Sequence, residues 1–398
     1  MRVTLLTHYY PPEVGAPQAR LSALARGLSR RGVEVTVHTG FPHYPDGVIQ
    51  PPYRNRPWQT EEADGVRVVR SAVYPAPNRG FGRRILNHVS FGLSSVASSP
   101  ASGPADAVIV ETPPLLLAGA SIAYAGTKEA ALIVNVSDMW PDSAVALGTL
   151  RRPRLVGAAR ALEHACYRRA AAIVCPTRGI ETALGFLEEA GGKVHRIPPS
   201  VDPELFPASP PRANGTFKVL YAGTLGMSQG VGTLVDAAEL LDDSPEIQFV
   251  IAGDGAEGPE LRRRLADGRA PNVTMLGRVP HERIPELYAE ADAAVVLLRD
   301  RPLFEGALPT KMFEAMSAAR PLVLSAAGEA ATLVKEVSCG VVVPPERPQE
   351  LAVAVADLSR DRARAGRLGA AGRQAVVEGY SRERAFDRWY ELLRDVTR

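Results

Sequence analysis

Thr310, Lys311 and Glu314 are spaced as a site for a phosphorylated ligand would need them. The run Pro309-Thr310-Lys311-Met312-Phe313-Glu314 reads as the opening of a helix over 311–319, with Thr310 as its N-cap and Phe313, Met316 and Ser317 as its inward stripe. N–H groups in the first turn of such a helix have no intrahelical partner and attract phosphate, and Lys311 adds a formal positive charge. Glu314, one turn further on, is able to accept hydrogen bonds from a ribose diol. Pro309, Thr310, Lys311 and Met312 would then hold a diphosphate, with a sugar ring beside Glu314.

The elements that must position these residues are legible on both sides. Residues 293–298 form a short, apolar, partly β-branched run, as expected of a buried parallel strand, and 322–324 repeats it after the helix. Strand, polar loop, helix, strand is the unit of an open α/β sheet, which binds ligands outside the carboxyl ends of its strands. The alternation runs through the chain. Strands are expected at 2–7, 33–39, 66–74, 107–111, 132–136 and 172–175, then at 217–221, 247–252, 273–276 and 340–343. The helix over 17–30 turns Leu21, Leu24 and Leu28 toward the sheet, and strand–helix–strand units of this length form right-handed parallel crossovers.

The densest proline stretch, 194–215, interrupts the alternation and reads as an irregular linker. It separates a domain over 1–198 from a second over 199–380. A last helix, 381–398, is capped by Ser381 and carries Phe386, Trp389, Tyr390 and Leu393 as an apolar stripe. It is longer than the second domain needs.

Bulk properties exclude several classes. At 398 residues the chain has room for two cores. Lys and Arg total 46 against 44 for Asp and Glu, which gives no support for a nucleic-acid partner. Cys166, Cys175 and Cys339 are unpatterned, which argues against structural zinc or a disulfide framework and suits a reducing, cytoplasmic setting. There is no acid-rich metal motif, so metal independence is expected. No apolar run is long enough to span a bilayer, and residues 1–7 read as a strand and not as a signal sequence. The segment 79–93 allows two readings. Arg79, Arg83 and Arg84 ahead of Ile85, Leu86, Val89, Phe91 and Leu93 would suit peripheral contact with the inner face of a membrane. The favoured reading is a solvated helix over 80–99 packed on the sheet.

Glycine-bearing loops follow three strand ends. Gly15 lies after the first strand; Gly223 and Gly226 follow 217–221 and, with Gly230, form a backbone cradle; Gly253 opens Gly253-Asp254-Gly255. The 223–230 loop does not have the dinucleotide-binding spacing. It is uncharged, with Thr224 and Gln229 among its polar residues, so Lys311 and Arg278 are expected to supply the charge that a diphosphate needs.

The stretch around Glu314 resembles the donor-binding segment of the retaining glycosyltransferases of family 4, in which two glutamates flank seven residues. Glu314 fits the second; the first falls on Gly306, with Glu305 one residue early. Pro309-Thr310-Lys311 is similar to the subgroup that makes bacterial O-antigen, capsule and related fucosyl or amino-sugar linkages. So are Tyr9-Tyr-Pro-Pro-Glu-Val-Gly-Ala-Pro17 and Phe41-Pro-His-Tyr-Pro-Asp-Gly47, a region that faces the acceptor in those enzymes. Asp138-Met-Trp-Pro-Asp-Ser143 fits the subgroup's Asp-Leu-Trp-Pro-Glu-Ser, with Ser137 where many members have histidine.

What the resemblance implies is a GT-B fold: two Rossmann-like doubly wound domains facing a cleft, with the last helix crossing back to the first. The first domain would take the acceptor through His43, Tyr44 and Trp140, although His43 reads equally as a surface-loop residue and Asp138 as the cap of the next turn. Asp138, Glu305 and Lys311 would act in catalysis, and Gly277-Arg278-Val279 would lie beside the base. A UDP- or GDP-linked sugar would serve as co-substrate with no permanently bound cofactor. A hexose-type sugar would pass, with retention, to a small-molecule or lipid-linked acceptor for polysaccharide or natural-product biosynthesis. Two alternatives stand beside this: a nucleotide-sugar epimerase or hydrolase of the same fold, and a catalytically degenerate binding protein.

Overall fold

The computed structural model describes residues 1–77, 81–146, 148–210 and 215–398. Arg79 and Gly80, where the basic helix is expected to open, and Pro211 to Asn214 of the proline-dense stretch lie outside the described residues. The chain divides into two compact units, one comprising Met1–Ile197 with Phe386–Arg398, the other Pro198–Ala385.

The first unit is an eight-stranded sheet among the described residues. Its strands are β1 (Arg2–Leu6), β2 (Glu34–Gly40), β3 (Trp58–Ala63), β4 (Val66–Ser71), β5 (Ala107–Thr112), β6 (Ala131–Val136), β7 (Ala172–Cys175) and β8 (Val194–Arg196). Their order is β3-β4-β2-β1-β5-β6-β7-β8. All pairs are parallel except β3 with β4. Helices α1 (Ala16–Ser29), α2 (Phe81–Ala97), α3 (Leu115–Gly126), α4 (Asp142–Ala146), α5 (Pro153–Arg169) and α6 (Arg178–Gly185) connect them. The central strands are buried along nearly their whole length, which is why they read as continuous apolar runs.

The second unit has strands β9 (Phe217–Ala222), β10 (Ile247–Ala252), β11 (Val273–Gly277), β12 (Ala293–Leu297), β13 (Leu322–Ser325) and β14 (Gly340–Val343), paired in parallel in the order β11-β10-β9-β12-β13-β14. Its helices are α7 (Gly232–Glu239), α8 (Gly258–Ala266), α9 (Ile284–Glu290), α10 (Thr310–Ser317), α11 (Gly328–Val337), α12 (Pro348–Arg360) and α13 (Arg362–Ala375). Two apolar cores fill this unit, one containing Phe217, Phe249 and Leu351, the other Met312, Phe313 and Met316. In each unit, then, a doubly wound sheet, wholly or mainly parallel, carries helices, the architecture expected from the alternation. Helix α14 (Arg382–Val396) starts in the second unit; from Phe386 it belongs to the first, where Asp387 pairs with Arg31 at 2.7 Å and Phe386 lies against Gly27.

Three local expectations are corrected. Strand β3 is not among the expected strands: as the antiparallel edge strand it alternates between exposed and half-buried residues and carries little apolar signal. Strand β8 lies inside the stretch expected to be linker, because Val194–Arg196 pairs with β7 before the first proline is reached. Thr310 is not an N-cap. Pro309 takes the extended cap position (φ −62°, ψ 130°) and Thr310 is the first helical residue, with no side-chain cap bond.

Candidate functional site

In the second unit the chain runs from β9 to one side of the sheet and from β12 to the other, so the carboxyl ends of these two neighbours form the switch point where a doubly wound sheet leaves a crevice. A cavity of about 650 Å³ lies there. It is lined by the loops after β9, β10 and β11 and by the start of α10. Of the residues expected from sequence to bind a nucleotide, it brings together Gly223, Thr224, Gly253, Arg278, Val279, Thr310, Lys311 and Glu314. Gln229, Asp254, Gly255 and His281 also line it.

The loops approach so closely that their backbones touch. A Cβ on Gly253 (φ 149°) would fall 1.8 Å from the carbonyl oxygen of Gly223, and one on Gly223 (φ 148°) would fall 2.6 Å from Lys311 Nζ. Only glycine satisfies both the backbone conformation and the space.

Lys311 donates to Tyr221 Oη at 3.0 Å, and Tyr221 in turn donates to the Thr224 carbonyl at 2.7 Å. The Lys311 ammonium also lies 4.4 Å from the centroid of the Tyr221 ring. Burial lowers the Lys311 pKa to about 8, an effect Glu314 partly opposes. Burial raises the Glu314 carboxyl above its usual range, against the pull of His281, Lys311 and Arg382. Tyr288 donates to the Lys311 carbonyl at 3.3 Å, and its own hydroxyl is pushed well up by burial and by Glu314. One wall thus offers a half-buried ammonium, a half-buried carboxyl and a helix start, with Arg278 and His281 exposed beside them.

Three of the nucleotide contacts expected in this unit do not line the cavity. The Met312 N–H already donates to the Pro309 carbonyl at 3.0 Å and its side chain is buried in the core, so it does not line the cavity. Pro309, as the cap, and Gly226, further along its loop, do not line it either. Glu305 is exposed at the end of a short 3₁₀ turn; its carbonyl accepts from the Glu329 N–H at 2.6 Å and its side chain is not part of the lining.

An anchoring network with no local sequence signal holds the loop after β9. Arg299, at the end of β12, donates through Nε to the Met227 carbonyl (2.6 Å), through Nη2 to Glu257 (2.6 Å) and through Nη1 to Glu346 (3.2 Å). Glu257 also accepts the Val231 N–H at 3.1 Å. Arg299 therefore pins the 223–231 loop from outside. The partners lie 42 and 47 residues away, on different elements, and no local pattern marks them.

The remaining expected residues belong to the first unit. His43 is 1 % exposed and is not a surface-loop residue: Nδ1 donates to the Phe41 carbonyl (2.8 Å), and Nε2 accepts from Asn87 (2.8 Å), whose Oδ1 meets His8 Nε2 at 2.6 Å. The buried Glu13 carboxylate accepts the N–H groups of His43 (2.9 Å) and Tyr44 (2.8 Å), which shapes this loop. Gly15 is the N-cap of α1. Asp138 is exposed just past β6, beside Ser137, whose hydroxyl donates to the buried Glu111 (3.0 Å), an oxygen that Arg20 also contacts. Trp140 packs half-buried on the apolar core of this unit. Among the described residues no cluster of His, Cys, Asp and Glu could hold a metal ion.

The chain matches the model for the glycosyl transferase 4-like domain over residues 15–200 and that for glycosyl transferases group 1 over 216–361. It is 32 % identical over 180 residues to an alpha-D-kanosaminyltransferase of Streptomyces kanamyceticus, covering 45 % of each chain. It is 31 % identical over 195 residues to a GDP-mannose-dependent alpha-(1-6)-phosphatidylinositol monomannoside mannosyltransferase of Mycobacterium tuberculosis, covering 46 % of this chain and 50 % of the relative. The chain thus spans about half the length of these curated relatives. Among solved structures, sucrose-phosphate synthase from Thermosynechococcus elongatus superposes with a TM-score of 0.77 at 19 % identity, over 99 % of this chain and 98 % of that one. HepE of Anabaena in complex with UDP superposes with a TM-score of 0.70 at 17 % identity, over 99 % and 100 %. With both of its sheets matched by transferase models, the chain belongs to the glycosyltransferases built from two Rossmann-like domains, the GT-B type.

Proposed function

We propose that the protein transfers a hexose-type sugar from a nucleoside-diphosphate donor, UDP- or GDP-linked, to a small-molecule or lipid-linked acceptor, with retention of anomeric configuration. The observation that carries this reading is the convergence of Lys311, Glu314, Arg278 and two glycine loops on one cavity of about 650 Å³ at a sheet switch point.

In this reading the diphosphate lies on the N–H groups of Thr310 and Lys311, with the Lys311 ammonium and Arg278 compensating its charge. Glu314 accepts from the ribose hydroxyls, and the base lies along Arg278 and Val279. As the anomeric C–O bond breaks, negative charge grows on the leaving diphosphate, and donors already fixed in place stabilise it without reorganising. Lys311 is fixed by Tyr221, which suits that role. Cationic side chains take the part that a divalent ion plays elsewhere. In the first unit Asp138 is the proposed contact for the transferring sugar or the acceptor; Glu305 is the proposed second carboxylate toward the sugar. With no nucleophile pair in evidence, departure from the front face is the more economical course: the leaving phosphate oxygen takes the proton of the attacking hydroxyl.

The kanosaminyltransferase and mannosyltransferase relatives support transfer over the two alternatives. The test is binding and turnover of Glu314→Ala and Lys311→Ala with UDP- and GDP-sugars. Both variants should lose nucleotide affinity and activity together; unchanged values would place the donor elsewhere.

A further inference from the structure

Helix α2 was expected to be a solvated helix packed on the sheet. It does pack, through Asn87, Phe91 and Ser95, all buried. Its opposite face is not polar. Ile85 is 38 % exposed, Leu86 49 %, Val89 36 % and Leu93 69 %. At 3.6 residues per turn these four fall within about 100° of arc on the outward side of the helix. Tyr74, 44 % exposed, is tied to the same helix: its N–H donates to Ser90 and its carbonyl accepts from Asn87.

The formal charge carried by this stretch has one sign. Arg83 and Arg84 lie exposed at the start of α2. No aspartate or glutamate occurs from Gly65 through Ala105, although the chain carries 44 acidic residues in all. An apolar strip whose helix opens with two arginines, in a stretch free of carboxylates, is complementary to a surface that is oily below and anionic above. A protein partner would more commonly be met by polar groups of both signs around an apolar centre.

We propose that the outer face of α2 docks on an anionic lipid bilayer. Leu86, Val89 and Leu93 enter the acyl boundary, Arg83 and Arg84 meet lipid phosphates, and Tyr74 lies at the headgroup level. The docking does not depend on which nucleotide the second unit binds. It would bring the first unit to the surface where a lipid-linked acceptor resides.

The experiment is co-sedimentation of the full chain with vesicles of phosphatidylcholine alone and of phosphatidylcholine mixed equally with phosphatidylglycerol, with thermal melting to check folding and light scattering to count copies. The native chain should sediment with the mixed vesicles and far less with the neutral ones. An R83E/R84E variant should lose about fivefold in partitioning per arginine, and L86Q/L93Q should lose binding to both, each with unchanged melting and unchanged affinity for UDP or GDP. Absence of binding by the native chain, or equal binding by the variants, would overturn the proposal. So would a native dimer that L86Q/L93Q converts to monomer, since the face would then be covered by a second copy. Nucleotide affinity, read in parallel, separates failure of the docking from failure of the donor assignment.

Discussion

The ammonium of Lys311 is held against Tyr221, 3.0 Å from its hydroxyl and 4.4 Å from its ring centroid, and the same hydroxyl donates to the Thr224 carbonyl. One tyrosine thus ties the start of α10 to the loop after β9. Tyr221→Phe keeps the ring under the cation but removes both hydroxyl bonds. It should weaken UDP or GDP binding about fivefold, the loss of one net hydrogen bond. Lys311→Ala removes the charge itself and should cost about ten- to a hundredfold. Isothermal titration of the two variants gives the ordering; a larger effect from Tyr221→Phe than from Lys311→Ala would contradict it.

Proton linkage follows from the lowered Lys311 pKa, near 8 in the free protein. A diphosphate beside it favours the charged form, so binding takes up a proton near pH 8. Nucleotide affinity should therefore be greatest below pH 8 and fall as pH rises through it, and Lys311→Met should flatten the dependence. Titration in two buffers of different ionisation enthalpy measures the uptake directly.

Gly253→Ala tests the contact between loop backbones. The new Cβ has no space beside the Gly223 carbonyl, and the backbone conformation is one that side chains rarely adopt. The expected cost is about 3 kcal/mol or more in stability of the second unit, with loss of nucleotide binding. Denaturant unfolding checks the first and titration the second.

Arg299→Ala should act without touching the ligand. It releases the Met227 carbonyl and leaves Glu257 without its ion pair, at a cost of about 2 kcal/mol. Nucleotide affinity should fall several-fold because the 223–231 loop is no longer pinned, and Arg299→Lys should restore only part of it, since a compact ammonium cannot reach three acceptors held by three separate guanidinium nitrogens.

In the first unit, burial raises the Glu163 carboxyl to about pH 7, and Tyr167 donates to it at 2.9 Å. The native state holds this proton where the unfolded chain has released it, so stability declines as pH rises from about 4.5 to 7. Glu163→Gln keeps the hydrogen bond and has no proton to lose. Its unfolding free energy should exceed that of the native chain above pH 7 by about 3 kcal/mol, and match it near pH 4.

The strands of both sheets were legible because burial on two faces writes a continuous apolar run, as in Ala293–Leu297. Lys311 and Glu314 were legible because a helix start fixes what a residue one turn later faces. Edge strand β3 was not, since half its side chains meet solvent. His43 was misread as a surface option because nothing local reveals Asn87, 44 residues on, as its partner. The role of Tyr221, which reads in sequence as one more apolar strand residue, depends on a lysine 90 positions away. The outward apolar face of α2 was half visible: its residues were in the sequence, but which side the sheet would cover was not.

A structure of the chain with a bound nucleoside diphosphate bears most directly on the account. The predicted result is a diphosphate within hydrogen-bonding distance of Lys311 Nζ and the Thr310 and Lys311 N–H groups, with its ribose on Glu314. A diphosphate bound away from the amino end of α10 would contradict it.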